Sequence, residues 1–393
     1  MTTITSATPT AAHHAGSTPA STDLLVAGLG PAGTALLSAA REAGELDRWL
    51  DRGLVVVDPD GDGSGQLGGY AVRSDTTGRV FAEVGRAALR TPTADEAMLL
   101  ARCDDDEPLP LRVAAQLLAM AARPTLSAVA QALVVGAVTS VTPGPEGAKV
   151  TIATAAGPQS VAARNVVIAC GGRAWMPAEL SGLGGAVVHS DAVIRGNVAA
   201  RGHVLVVGGS HSAFSAARVL LEGGEVDRVT IAHRSPIRVT YADAAAAAAD
   251  GCRFGPRDVC PATGRVFRFG GLRNDSAALY RAIRDGAETR VELTTTPVSK
   301  LVVSADLVVA ATGYAERVGS LLPRGGGTCT FDTDAALHQG GRLVAGVFGL
   351  GLGSGRRRDT ATGGEPSFTS TIDGVWFYRN VAAPAMLERI SST

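Results

Sequence analysis

The segment DLLVAGLGPAGTALLSAAREAG passes from a short apolar run into an amphipathic stretch through Gly28, Gly30 and Gly33. Few folds accommodate that spacing between a strand and a helix. Gly28 permits the tight turn, Gly30 lets a pyrophosphate approach the backbone, and Gly33 lets helix and strand pack closely. Pro31 and Ala32 open the helix, whose unpaired N–H groups and partial positive charge favour an anion by ~0.3–1 kcal/mol, or ~2 when sheltered. A second apolar run, residues 54–57, ends in Asp58. A carboxylate at the end of the second strand suits the hydroxyls of a ribose. Strand, glycine turn, helix, strand and acid together predict a βαβ unit that holds a dinucleotide.

The pattern returns about 180 residues later. Residues 204–207 form a strand, Gly208-Gly209-Ser210-His211-Ser212-Ala213 the turn, and residues 229–232 the next strand. Ser210 and Ala213 stand where two glycines would complete the motif. No acid follows; the strand ends in His233-Arg234, with Arg238 close by. Guanidinium groups suit a ribose 2′-phosphate through bidentate bonds, so NADPH is expected in preference to NADH. His211 is expected to pack or hydrogen-bond near the pyrophosphate.

Two such units predict an α/β fold of two Rossmann-like dinucleotide-binding domains, one inserted into the other. The outer domain is placed at 23–195 and 301–393, with a helical insert at about 91–133 interrupted near Pro108, Pro110 and Pro124. The inner domain is placed at 196–300. Further strands are expected at 134–141, 149–154, 161–163, 165–169, 301–303, 307–310 and 343–348, an alanine-rich helix within 241–251, a Gly/Arg loop at 349–364 and a closing helix from about 373. Residues 1–22 are small and polar and read as a disordered tail.

A 393-residue chain with 46% apolar and 19% charged residues has ample material for two cores. A net charge of −1 gives no reason to expect nucleic acid. No run approaches the ~20 apolar residues of a membrane-spanning helix, so no membrane is expected. The five cysteines, Cys103, Cys170, Cys252, Cys260 and Cys329, contain no C-x-x-C pair, which disfavours a redox dithiol or zinc site and suggests a reduced, cytoplasmic setting. No metal is expected; His13-His14 reads as part of the solvated tail. The acidic run Asp104-Asp105-Asp106-Glu107 reads as a solvated loop.

These features together resemble the flavin-dependent monooxygenases with separate FAD and NADPH turns, which include the flavin-containing, N-hydroxylating and Baeyer–Villiger enzymes. VVIACGGRAWMP is similar to the family strand that ends in A-T-G near the flavin, with Cys170 in place of Thr. LSGLGGAVVHSDAVI resembles the hinge before the NADPH turn, placing His189-Ser190 there, with Leu180 for the usual Phe. DLVVAATGY resembles a second crossover found in N-hydroxylating members, and GVFGLGLG the loop beside the flavin ribityl chain.

The resemblance implies FAD at Gly28, Gly30, Pro31, Ala32, Gly33, Asp58, Gln66, Val138, Gly171 and Gly351. It implies NADPH at Gly208, Gly209, Ser210, His211, Ser212, Arg234 and Arg238, with Thr312, Gly313 and Tyr314 at the second crossover. Ser74, Asp75 and Thr76 become catalytic candidates, with Asp75 in place of an Asn beside the flavin. The implied reaction uses O₂ as co-substrate and passes one oxygen from a flavin hydroperoxide to a nucleophilic nitrogen of a small metabolite, an N-hydroxylation of an amine. S-oxygenation or Baeyer–Villiger chemistry, and a non-oxygenating FAD/NAD(P)H oxidoreductase or sensor, stay open as alternatives, as does a homo-oligomer.

Overall fold

The computed structural model describes residues 19–182, 187–323, 325–332, 335–352, 354, 363–370 and 374–391. Among these residues, nine strands form one mixed sheet. Its path runs Cys329–Phe331, Ala336–Gln339, Arg342–Gly349, Gly157–Ile168, Ser21–Ala27, Val55–Asp58 and Leu133–Val135. Ala137–Gly144 and Gly147–Thr154 form an antiparallel extension on Gly157–Ile168. The central strands are parallel, with Ala27 opposite both Val57 and Ile168 and Ile168 opposite Gly349. Gly28, Asp58, Cys170 and Gly351 therefore emerge near one edge, the position where parallel sheets take their ligands. Leu25, Val26, Val56, Val166 and Val167 are fully buried, each contributing ~1.5–3 kcal/mol by leaving water.

The second sheet is parallel throughout: Val187–His189, Leu307–Ala310, Gly202–Val207, Val226–Ala232 and Val291–Thr294. It extends beyond the 196–300 expected for the inner domain. Both chain crossovers are β-branched, apolar strands, and both hydrogen-bond to this sheet rather than to the first. Arg173–Ala174, ahead of the first, pairs antiparallel with Tyr314–Ala315, just after the second, fastening the two connections together.

Three helices, Gly78–Ala88, Ala94–Cys103 and Leu111–Ala128, pack around Phe81, Leu100, Leu117 and Met120. The helical region thus starts before residue 91. A capping box between Thr93 and Glu96 opens the second helix. Pro124 does not break the third: it lies in the last turn and a half, where little helix remains downstream of the missing donor.

The apolar run 301–303 is not a strand. It continues the helical turn Val298–Leu301 into a 3-10 turn, Val302–Ser304, and Val303 is 87% exposed. Pro297 caps that turn and sets its direction. The expected strands 161–163 and 165–169 are one strand, Gly157–Ile168. The alanine run forms the helix Ala244–Ala249, capped by Asp243. The tail to residue 18, with His13-His14, lies outside the described residues, as do 355–362 of the Gly/Arg loop and 371–373 at the expected start of the closing helix. The described part of that helix begins at Val375 and passes through a π-turn, Tyr378–Ala382, into Ala383–Ser391. Among the described residues, no helix is long and apolar enough to cross a membrane. All five cysteines are free.

Candidate active site between two dinucleotide turns

The first turn has the geometry a pyrophosphate needs. Gly28 adopts φ +104°, and a Cβ there would stand 2.5 Å from the Ala169 carbonyl oxygen. A Cβ on Gly33 would run into the Gly28 carbonyl. The helix Pro31–Glu42 starts with Pro31 and has no side-chain cap, leaving its first amides open to an anion. Gly351 at φ +95° lies against Ala32, where a Cβ would come within 2.9 Å of the alanine methyl. Two backbones thus close over one helix N-terminus.

Asp58 accepts from the Leu29 amide at 2.6 Å, and from the amides of Asp60 and Gly61 at 2.9 and 2.6 Å. The carboxylate fixes the glycine turn to the end of the second strand. Gly171 follows the neighbouring strand in a left-handed conformation with open space around it. The Cys170 thiol donates to the Ala27 carbonyl at 3.4 Å, and burial pushes its pKa up to about 11. It stays neutral and donates as a threonine hydroxyl would. Val138 is half-buried on Ala137–Gly144, opposite Ile152. Gln66 is exposed and accepts from Arg195 at 3.4 Å.

The second turn is built alike. Gly208 adopts φ +146°, and the helix His211–Glu222 follows without a side-chain cap. Ala213 is fully buried against the sheet, so its methyl fits where glycine was expected. His211 donates through Nε2 to the Gly271 carbonyl at 3.2 Å, and burial lowers its pKa. Ser210 and Ser212 flank it at the helix start. Arg234 is exposed at the end of its strand, beside the His233 that packs on Gly209. Arg238 points elsewhere: its guanidinium stacks 4.9 Å over Phe267, towards Gly270 and Glu365. The two arginines grouped in the sequence are separated in space.

Between the turns lies a network that the sequence does not announce. Asp191 accepts from the hydroxyls of Tyr70 and Tyr314, each at 2.8 Å, and from Arg195 at 2.8 Å. Burial raises its pKa, but these bonds outweigh that and hold it below the usual carboxylate value. His189 donates through Nε2 to the Gly313 carbonyl at 3.0 Å and accepts the Asp191 amide at Nδ1. That pairing defines a neutral ring, and burial lowers its pKa. Thr312 donates to the Trp175 carbonyl at 2.6 Å. The second-crossover residues Thr312, Gly313 and Tyr314 therefore bind the first crossover.

The catalytic candidates lie where the domains meet. Ser74 is buried and its hydroxyl accepts the Thr76 amide at 2.9 Å. Asp75 is exposed and faces Arg273 of the inner domain at 3.8 Å, while Asn274 donates to its carbonyl at 3.2 Å. Arg273 and Asn274 were not singled out from the sequence; the only signal was the density of arginine around them. The acidic run is paired locally: Asp104 with Arg86, Asp106 with Arg79 and Glu107 with Arg73.

Two sheets with parallel central strands, each with a glycine turn at its ligand edge and joined by two crossovers, define a two-dinucleotide flavoprotein. A profile of the L-lysine 6-monooxygenase/L-ornithine 5-monooxygenase family matches residues 130–248. CMP-5′-(3-aminopropyl)phosphonate hydroxylase of Streptomyces rubellomurinus is 30% identical, over 93% of this chain and 96% of that protein. The fold is similar to the ornithine N-hydroxylase of Kutzneria sp. 744 (TM-score 0.60, 18% identity, 95% and 99% coverage). It is also similar to the ornithine hydroxylase of Pseudomonas aeruginosa (TM-score 0.61, 16% identity, 95% and 99% coverage). The chain belongs to the flavin-dependent N-hydroxylating monooxygenases. It is an oxidoreductase of the class that uses FAD, NADPH and O₂ to hydroxylate an amine nitrogen.

Proposed function

We propose that the chain hydroxylates the terminal primary amine of a small metabolite held at the junction of the two domains, beside Ser74, Asp75 and Thr76. The observation that carries this reading is the meeting of Asp75 with Arg273 and Asn274 between the two glycine turns. The relatives' substrates define two kinds of candidate: amino acids such as ornithine or lysine, and an aminoalkylphosphonate joined to CMP.

FAD is held by Gly28, Gly30, Pro31, Ala32 and Gly33 at the pyrophosphate, by Asp58 at the ribose, and by Gln66, Val138, Gly171 and Gly351 along its length. NADPH is held by Gly208, Gly209, Ser210, His211 and Ser212, with Arg234 at the 2′-phosphate. The bound cofactors supply hydride transfer and oxygen activation. The chain's own residues orient and shelter. Ser74 fixes the 74–76 turn through the Thr76 amide, which sets the direction of Asp75. The Asp75 carboxylate attracts and orients the substrate's ammonium end. The amine must lose a proton before its lone pair can attack, and Asp75 is an acceptor at that position. The pairing of Tyr314–Ala315 with Arg173–Ala174 ties the two connections between the domains together.

The test is amine-dependent NADPH consumption by the FAD-loaded protein across ornithine, lysine and aminoalkylphosphonates, with product mass. One of these amines should stimulate turnover and gain a single oxygen. Oxidation of NADPH that no amine stimulates would sink the proposal.

A further inference from the structure

We propose that Arg238, Arg268 and Arg273 form a subsite for a phosphate or phosphonate group carried by the amine substrate. This deepens the amine-hydroxylation reading and rests on it. Between Arg234 and Arg273 the sequence holds seven arginines and three aspartates, in a chain whose net charge is −1. The fold gathers part of that excess at the domain junction.

Three arginines lie on or against one loop, residues 268–273: Arg268 and Arg273 belong to it, and Arg238 lies beside Gly270. Arg273 is half-buried; burial lowers its pKa, Asp75 opposes the shift, and the neighbouring charges of Arg265 and Arg268 add to it. Its other contact is the Arg268 carbonyl. Arg268 stacks 4.8 Å over Phe269 and donates to the Cys260 thiol at 3.5 Å. Arg238 stacks over Phe267 beside Gly270, and its charge also acts on Asp258.

The acid in their midst is already committed. Glu365, fully buried, accepts from the amides of Phe269 and Gly270 at 2.8–3.1 Å and so holds the loop in place. The loop is also bracketed by two left-handed residues, Phe267 at φ +47° and Asn274 at φ +46°. Each such conformation costs ~1–3 kcal/mol and persists where the surroundings impose it, as at ligand clamps. Like charges gathered at a strained, anchored loop suit an anion that accepts from several guanidinium N–H groups at once.

The loop carries opposite charges: Asp75 faces Arg273, and Arg238 lies beside Gly270 of the same loop. A substrate with an ammonium and a phosphonate would lie with its amine at Asp75 and its anion at Arg238 and Arg268. An amino acid carries only a carboxylate, and would leave much of that donor capacity unused.

The decisive experiment compares CMP-5′-(3-aminopropyl)phosphonate, free 3-aminopropylphosphonate and L-ornithine as substrates of the FAD-loaded protein. The two phosphonates should exceed ornithine in kcat/KM; which of them is better separates a nucleotide-linked source from a free one. Arg238→Met should raise the KM for the phosphonate by ~10- to 100-fold, the scale of one charge-assisted hydrogen bond, with a smaller change in kcat. Arg238→Lys should recover part of the loss. Flavin content and Tm report whether each variant is folded. Calorimetric titration of both phosphonates into the holoenzyme reads the subsite without turnover. Ornithine preferred over both phosphonates, or an Arg238→Met variant whose altered KM is that for NADPH, would overturn the subsite while leaving amine hydroxylation intact. Tight phosphonate binding that depends on Arg238, without any hydroxylated product, would keep the subsite and refute the hydroxylation reading.

Discussion

The Tyr314 hydroxyl donates to the Asp191 carboxylate at 2.8 Å. One residue follows the second crossover strand and the other the first, and Tyr70, from the segment after the strand Val55–Asp58, donates to the same oxygen. Arg195 completes the group by pairing with Asp191 and stacking 4.2 Å over the Tyr70 ring. A single carboxylate thus joins three segments that the two domains share.

Asp191→Asn should loosen that junction. It removes an ion pair and weakens two hydrogen bonds, an expected loss of roughly 1–3 kcal/mol. Tyr314→Phe removes one bond and should cost less. Thermal unfolding of the FAD-loaded protein measures the first effect, and anaerobic flavin reduction by NADPH measures whether the domains still align. A wild-type reduction rate and Tm in Asp191→Asn would show that the group is incidental.

His189 should give the fold a pH dependence. Its pKa in the folded protein is lowered below 6.5, with burial the largest cause. Stability is therefore greatest above about pH 6.5 and falls as pH drops through the folded value, because the buried ring resists protonation. His211, lowered by burial too, acts in the same direction. His189→Gln keeps a donor for the Gly313 carbonyl but cannot titrate. The fall in Tm between pH 7.5 and 5.5 should be smaller in that variant; an unchanged fall would show that His189 does not contribute.

Arg234→Ala should lower kcat/KM for NADPH by ~10- to 100-fold and for NADH much less, since only NADPH has the 2′-phosphate. Equal losses would show that Arg234 holds no such group.

Asp75→Asn should raise the KM for the amine while leaving NADPH-driven flavin reduction in place. A change confined to flavin reduction would place Asp75 on the cofactor rather than the substrate.

The two turns were legible because their constraint is local. Gly28 and Gly208 need left-handed backbone beside a strand, and only glycine supplies that without strain. Asp58 was legible from its distance to the turn. The residues 301–303 misled because a short apolar run fits a strand or an exposed turn equally well, and periodicity does not separate them. Arg234 and Arg238 look like one pair in sequence; the bend after His233 sends them to different places. The Asp191 group was not legible, since Tyr70, Asp191 and Tyr314 are brought together only by the crossovers. Glu365 reaches the Phe269 and Gly270 amides in the same long-range way.

The most direct measurement is turnover under ¹⁸O₂ with the best amine substrate, followed by mass analysis of the product. The account expects one ¹⁸O per product, located on the former amine nitrogen, with NADPH consumed in step. Label found only in hydrogen peroxide or water, with the amine recovered unchanged, would contradict it.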